Sequence, residues 1–105
     1  MAELEPAPLN VEVEQPGDDV VMKVGGELDG SNVDRLRTVV TEQLANQPSR
    51  FSFDLAELSF MDTSGLALLI TVKRAVEDVR ILNPSPQVRS VIDRTGLASI
   101  LVMEP

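Results

Sequence analysis

Three small polar residues in a row, Asp62, Thr63 and Ser64, separate two apolar stretches of the chain. Residues 51–55 before them alternate apolar and polar, and residues 66–72 after them are almost wholly apolar, which predicts a strand that gives way to a helix near Thr63 or Ser64. The free N–H groups and the positive dipole end at a helix start favour a negative group there. The pattern therefore indicates Ser64 as a hydroxyl that can carry a phosphate, with Thr63 as the alternative.

The same residues also have a purely structural interpretation. Asp62 or Thr63 is of a type preferred at a helix N-cap, and Ser64 would then be an ordinary first-turn residue. Because the chain has no His and no Cys, Ser–His and Cys–His nucleophilic pairs and the usual zinc ligand sets are excluded. An enzyme that used Ser64 as its nucleophile would need Lys23, Lys73 or a carboxylate as its base. We expect no enzymatic activity.

Composition narrows the class of protein and of partner. A chain of 105 residues that is 43% hydrophobic predicts one domain with a modest aliphatic core. The net charge of −8 argues against nucleic acid and anionic lipid as direct partners and favours a basic protein surface. The sequence shows neither a signal peptide nor an apolar run near the ~20 residues of a membrane span, so a cytoplasmic protein is expected. Asp29 and Asp62 alone are too few for a metal cage, and we expect no metal or cofactor.

Hydrophobic periodicity predicts an α/β domain over residues 9–105, preceded by a flexible, acidic, Pro-rich segment at residues 1–8. The element order is ββαβαβαβ, with the first two strands antiparallel and the later strands largely parallel. Gly25 and Gly26 are expected to end the second strand, Ser31 to cap the first helix, and Ser85 with Pro86 to start the third. The predicted strands are 9–14, 20–24, 51–55, 79–82 and 99–103, and the predicted helices end near 46, 77 and 95.

The second predicted helix is apolar on more than one face. Leu66, Leu69 and Val72 can supply a stripe that faces the core, but Ala67 and Leu68 cannot all face inward with them. Either a partner protein covers part of this surface, or packing against a neighbouring helix buries it. The residues alone leave both possibilities open.

Four segments together carry a resemblance to a known family. Residues 26–29 (Gly-Glu-Leu-Asp), 60–66 (Phe-Met-Asp-Thr-Ser-Gly-Leu), 83–88 (Asn-Pro-Ser-Pro-Gln-Val) and 95–97 (Thr-Gly-Leu) resemble, in order and spacing, the acidic loop, phosphorylation motif and C-terminal helix boundaries of STAS domains, in particular of anti-sigma-factor antagonists. The resemblance covers the chain from about Leu9 to Met103 and implies a mixed sheet with the helices packed mainly on one side. The stretch between Gly65 and Asn83 departs from it, being shorter by roughly one helical turn.

The resemblance implies a switchable binding protein. In the antagonist family the unmodified domain binds an anti-sigma factor that is also a serine kinase and so frees a sigma factor; phosphorylation of the motif serine ends binding, and a serine phosphatase restores it. It implies Ser64 as phosphoacceptor, with Thr63 as alternative, and we expect Asp62 to orient the Ser64 hydroxyl or to help hold the kinase. The predicted partner-binding residues are Asp29, Asp62, Thr63, Ser64 and Gly65 around the motif, together with Ala67 and Leu68 from the second apolar face of the helix. The expected state is a monomer or weak dimer, and the alternative function is a stand-alone STAS subunit of a membrane transport ATPase complex.

Overall fold

The structure, a computed structural model, describes residues 8–104. The predicted flexible segment 1–8 therefore lies outside the described residues except for Pro8, which is exposed. The elements in chain order are β1 (Asn10–Glu14), β2 (Asp19–Leu28), α1 (Val33–Leu44), β3 (Arg50–Asp54), β4 (Leu58–Met61), α2 (Thr63–Ala75), β5 (Asp78–Leu82), α3 (Pro86–Arg94), a 3-10 turn (Leu97–Ser99) and β6 (Val102–Glu104).

The strands form one mixed sheet in the order β1-β2-β3-β5-β6, and β4 pairs with the C-terminal part of β2. β1 runs antiparallel to β2, and the other pairs are parallel. This confirms the predicted mixed sheet and fold class. The described part of the chain contains six strands rather than the predicted five, because no strand was predicted where β4 lies.

β2 does not end at the two glycines, so that prediction was wrong. The strand continues to Leu28: it pairs with β3 as far as Lys23 and with β4 from Gly26 onward, and the pairing with β4 is irregular between Gly26 and Glu27. The Gly26 N–H donates to the carbonyl of Glu57 at 2.9 Å, and Gly26 has a φ of +92° that favours glycine. A Cβ on Gly25 would lie 3.0 Å from the Cβ of Glu57. The glycines thus let the β3–β4 turn approach β2 closely.

One face of the sheet carries the hydrophobic core. Val20 pairs with Phe51, and Phe51 with Val79, so these buried side chains lie in one row across three strands. The next row is equally buried and consists of Met22, Phe53 and Ile81. The same core cluster contains the inward residues of all three helices, namely Val33, Leu36, Val40, Leu66, Leu68, Leu69, Val72, Val88 and Ile92. The helices therefore cover this face, as predicted.

The opposite face of the sheet carries ion pairs. Arg50 on β3 lies 2.9 Å from Asp78 on β5 and 3.6 Å from Asp19 on β2. Arg80 contacts Asp78 and also reaches Glu104 on β6 at 3.2 Å. Hydrogen bonds from Arg80 and then Arg50 hold the pKa of Asp78 below its ordinary value. These charges stabilise the strands from the side away from the helices.

The helix ends agree with prediction for α3 and differ for α1. The Ser85 hydroxyl accepts a hydrogen bond from the Val88 N–H at 3.3 Å, and Pro86 is the first residue of α3, as predicted. The N-cap of α1 is Asn32, not Ser31. The Ser31 cap prediction was wrong because that hydroxyl donates to the Asp29 carboxylate instead.

The C-terminal elements are shorter than predicted. Gly96 adopts the left-handed conformation with φ +77°, which ends α3 as expected. The residues after it form a 3-10 turn, so the last strand begins at Val102 rather than at residue 99. α2 likewise ends at Ala75, two residues before its predicted limit near residue 77.

Candidate functional site: the surface around Ser64

Two loops meet at one edge of the sheet because β2 and β4 are parallel neighbours. Leu28 pairs with Met61, and the Asp62 N–H donates to the Leu28 carbonyl at 3.2 Å. Because the last residues of β2 and β4 pair with each other, the loop that follows β2 lies against the start of α2. A Cβ on Gly30 would lie 3.4 Å from the Ser64 Oγ. The structure thus brings the Asp29 loop and Ser64 together.

Asp62 is the N-cap of α2. Its Oδ1 accepts a hydrogen bond from the Ser64 main-chain N–H at 2.8 Å, and its carbonyl accepts from the Gly65 N–H at 3.1 Å. The carboxylate therefore holds the amide of Ser64, not its hydroxyl, which corrects that part of the expectation. Within residues 8–104 the Ser64 hydroxyl has no hydrogen-bond partner in the structure. Ser64 is half-buried and Thr63 exposed.

Gly65 is needed for packing inside the protein. It is buried, and a Cβ there would lie 2.5 Å from Met61 Cγ, 2.7 Å from Met61 Sδ and 2.9 Å from Leu28 Cδ2. All three distances are shorter than a carbon tolerates in a packed core. Because Gly65 faces these side chains, it gives a partner no surface, and its absent side chain instead lets α2 lie close to the ends of β2 and β4.

Asp29 lies in a loop fixed by its own polar side chains. The Asp29 carboxylate accepts from both the hydroxyl and the N–H of Ser31, and these hydrogen bonds lower the pKa of Asp29 from its ordinary value. The amide side chain of Asn32 accepts from the Asp29 N–H at 3.0 Å and donates to the Glu27 carbonyl at 2.8 Å. A carboxylate that is ionised at neutral pH thus stands in a defined loop beside Ser64.

The solvent-exposed face of α2 contains fewer apolar residues than the sequence analysis predicted. Ala67 and Thr71, three and seven residues after Ser64, are exposed on its side of the helix. Leu68 is only 1% exposed and belongs to the core. The prediction that Leu68 contacts a partner was wrong because its side chain is buried inside this domain, where α2 packs against α1, β4 and β5. Ala67 keeps its predicted place on the surface.

The solvent exposure of Phe60 was not predicted from the sequence. It lies on β4 two residues before Asp62, and its side chain is 39% exposed, one of the few large apolar groups on the described surface. β4 shows the burial pattern buried, exposed, exposed, buried instead of strict alternation. No periodic signal marked Phe60 as outward. We define the Ser64 surface as Asp29, Asp62, Thr63, Ser64 and Ala67.

The structure brings neither Lys23 nor Lys73 to Ser64. Lys23 lies on β2 and pairs with Glu14 at 3.6 Å. Lys73 contacts the Glu77 carbonyl at the far end of α2, and nine helical residues separate it from Ser64 by about 14 Å along the axis. Within residues 8–104 there is no cluster of three or more carboxylates suited to a metal ion, and no helix is long and apolar enough to cross a membrane.

Comparison with known proteins places the chain in a family. The family model for the STAS domain matches residues 10–105. The chain belongs to the STAS domain family. It is 35% identical over 83 residues to an anti-sigma F factor antagonist of Lysinibacillus sphaericus, covering 74% of this chain and 71% of that protein. It is 31% identical over 97 residues to an anti-sigma-B factor antagonist of Staphylococcus epidermidis, covering 89% and 90%.

The solved structures of Bacillus SpoIIAA, an anti-sigma factor antagonist, share the fold of this STAS chain. The unphosphorylated form superposes with a TM-score of 0.76 at 28% identity, covering 90% of this chain and 87% of that one. The phosphorylated form gives a TM-score of 0.69 at 26% identity, covering 90% of each chain. The similarity therefore extends over nearly the whole domain.

Proposed function

We propose that this STAS protein is an anti-sigma-factor antagonist whose binding is switched by phosphorylation of Ser64. The unphosphorylated form binds an anti-sigma factor with serine kinase activity and so releases a sigma factor. The observation that carries the proposal is the placement of the Ser64 hydroxyl, without a hydrogen-bond partner in the described chain, between the Asp29 loop and the exposed Ala67. Relatives that are named antagonists of anti-sigma factors support the class of partner.

A phosphate on Ser64 is compatible with the fold. It would stand at the N-terminal end of α2, where the helix dipole favours negative charge. Gly30 has no side chain to fill the space beside the Ser64 Oγ, so the modified group has room on that side. The similarity of this chain to SpoIIAA in both unphosphorylated and phosphorylated forms supports the same conclusion. The switch therefore acts at the surface and leaves the core intact.

The change in partner affinity follows from charge. Phosphorylation adds about −1.5 to −2 charge at neutral pH, next to the carboxylates of Asp29 and Asp62. An interface that closes over a neutral hydroxyl must then desolvate a dianion, which costs several kcal/mol unless new positive partners appear. Moving a complex from almost fully bound to almost fully free takes about 5.5 kcal/mol of differential affinity. The desolvation cost of one central phosphate is large enough to supply most of this difference in binding free energy. A serine phosphatase would restore binding by removing the phosphate.

Release of the sigma factor tests this proposal. Unphosphorylated protein is titrated into a preformed complex of its anti-sigma factor with a fluorescently labelled sigma factor, and free sigma factor is measured by anisotropy. We expect stoichiometric release by the wild type and much weaker release by Ala67→Glu, a variant that adds charge to the exposed side of α2. No release by the wild type, together with copurification with a transport ATPase, would instead favour the structural-subunit alternative.

A further inference from the structure

The edge of β4 that faces away from β2 forms hydrogen bonds with a side chain of α3. β4 pairs with β2 on one side, and on its other side it packs against α3. The Oε1 of Gln87, the second residue of α3, accepts a hydrogen bond from the Met61 N–H at 3.1 Å. The Nε2 of the same amide donates to the Met61 carbonyl at 3.4 Å. Gln87 thus offers β4 the donor and acceptor that a neighbouring strand would otherwise provide.

This contact lies one residue before the site. Met61 directly precedes Asp62, whose N–H is bound to Leu28 on the other side of β4. Asp62 in turn holds the Ser64 amide. The end of β4 is therefore fixed from both sides, by β2 and by Gln87, immediately before the chain turns into α2. A change at Gln87 frees one of these two sides without touching Asp62 or Ser64.

We propose that Gln87 is a positioning residue for Ser64: its side-chain amide holds the end of β4 and thereby sets where the Ser64 hydroxyl stands for the kinase. This inference rests on the proposed function and names a residue of α3 on which phosphorylation depends. The amide is suited to the task because it donates and accepts from one rigid planar group. Methionine has a similar length but cannot replace either hydrogen bond, and glutamate keeps only the acceptor.

The test separates positioning from general stability. Gln87→Met, Gln87→Glu and Ser85→Ala are compared with the wild type. Ser85→Ala is the matched control because it removes the N-cap of the same helix and leaves the contact with Met61 in place. Thermal unfolding is measured for all four proteins, together with the kinetics of Ser64 phosphorylation by the anti-sigma kinase and the hydrogen-exchange rates of individual amides.

We expect Gln87→Met to lower kcat about tenfold with less than a threefold change in KM, because a small misplacement of a reacting group costs rate while the docking surface is kept. The amides of Asp62 and Ser64 should exchange about tenfold faster in the same variant. Gln87→Glu should fall between Gln87→Met and the wild type. Ser85→Ala should lower the melting temperature yet leave both the kcat and these two exchange rates at wild-type values.

Equal kinetics in Gln87→Met and the wild type, or equal losses of kcat in Gln87→Met and Ser85→Ala, would overturn the inference. A raised KM with unchanged exchange would assign Gln87 to direct contact with the kinase, which also overturns it. If an active kinase leaves the wild type unmodified, the proposed function fails. The exchange rates of the Asp62 and Ser64 amides then decide alone whether Gln87 holds this segment in place.

Discussion

Replacing Ser64 by Glu is expected to weaken binding to the anti-sigma factor about 100-fold, equivalent to about 2.7 kcal/mol. The new carboxylate would stand at the centre of the Ser64 surface, beside Asp29 and Asp62, and would have to be desolvated in the complex. Ser64→Ala removes only the hydroxyl and should bind within about threefold of the wild type, because the main-chain hydrogen bond to Asp62 is retained. Isothermal titration calorimetry with the purified anti-sigma factor measures both.

The control for added charge is Thr41→Glu. Thr41 is exposed in the second half of α1, eight residues or about 12 Å along the helix from its start at Val33. It receives the same charge away from the Ser64 surface and should bind like the wild type. Equal weakening in Thr41→Glu and Ser64→Glu would assign the effect to net charge and contradict a local switch.

Leu68→Ala is expected to destabilise the fold by about 3 kcal/mol, within the range for truncation of a buried leucine. The side chain is 1% exposed and lies in the core cluster, so its loss leaves a cavity. For a domain of this size the melting temperature should fall by roughly 12–24 °C. Urea unfolding followed by circular dichroism gives the free energy, since the chain has no Trp.

Ala67 supplies the matched comparison for Leu68. Ala67→Glu changes an exposed position and should alter the free energy of unfolding by no more than about 0.5 kcal/mol, while it weakens partner binding. Leu68→Ala should bind normally at temperatures where it is folded. A Leu68→Ala protein of normal stability and weakened binding would place Leu68 on the surface and contradict the structure.

The fold class could be predicted because most elements, β4 excepted, carried their own sequence signal. Ser85 and Pro86 marked the start of α3, and Gly96 marked its end. β3 (Arg50–Asp54) was indicated by the alternation of residues 51–55. Parallel pairing of β2 with β3 followed from the length of the α1 connection. These signals are local, so they can be recognised without knowing which elements pack together in the fold.

The errors concern features that depend on neighbours. When β2 is considered alone, Gly25 and Gly26 indicate the end of a strand. In the structure the strand continues through them, and their lack of side chains lets Glu57 approach β2. β4 was overlooked because its four residues do not alternate. Leu68 was misassigned because helical periodicity does not say how many faces of α2 are covered; that depends on its packing against α1, β4 and β5.

In the candidate site, too, features with local sequence signals were predicted and features that depend on neighbouring elements were not. Asp62 and Ser64 were indicated by residue types at a predicted helix start, and Asp29 by the resemblance to STAS domains; the parallel pairing of β2 and β4 explains why their loops meet. The exposure of Phe60 and the contact of Gln87 with Met61 were not predicted. Gln87 lies 23 residues after Ser64 in the sequence and reaches the site only because α3 packs against β4. An amide in the first turn of a helix carries no sequence signal for such a contact.

Intact-mass analysis after incubation with the anti-sigma kinase and ATP tests the central claim, that Ser64 is the switch, most directly. Wild type, Ser64→Ala and Thr63→Val are compared, with a known substrate showing that the kinase is active. We predict one added phosphate on the wild type and on Thr63→Val, and none on Ser64→Ala. Phosphate on Ser64→Ala but not on Thr63→Val would move the switch to Thr63, and no phosphate on any of the three would contradict a phosphorylation switch in this protein.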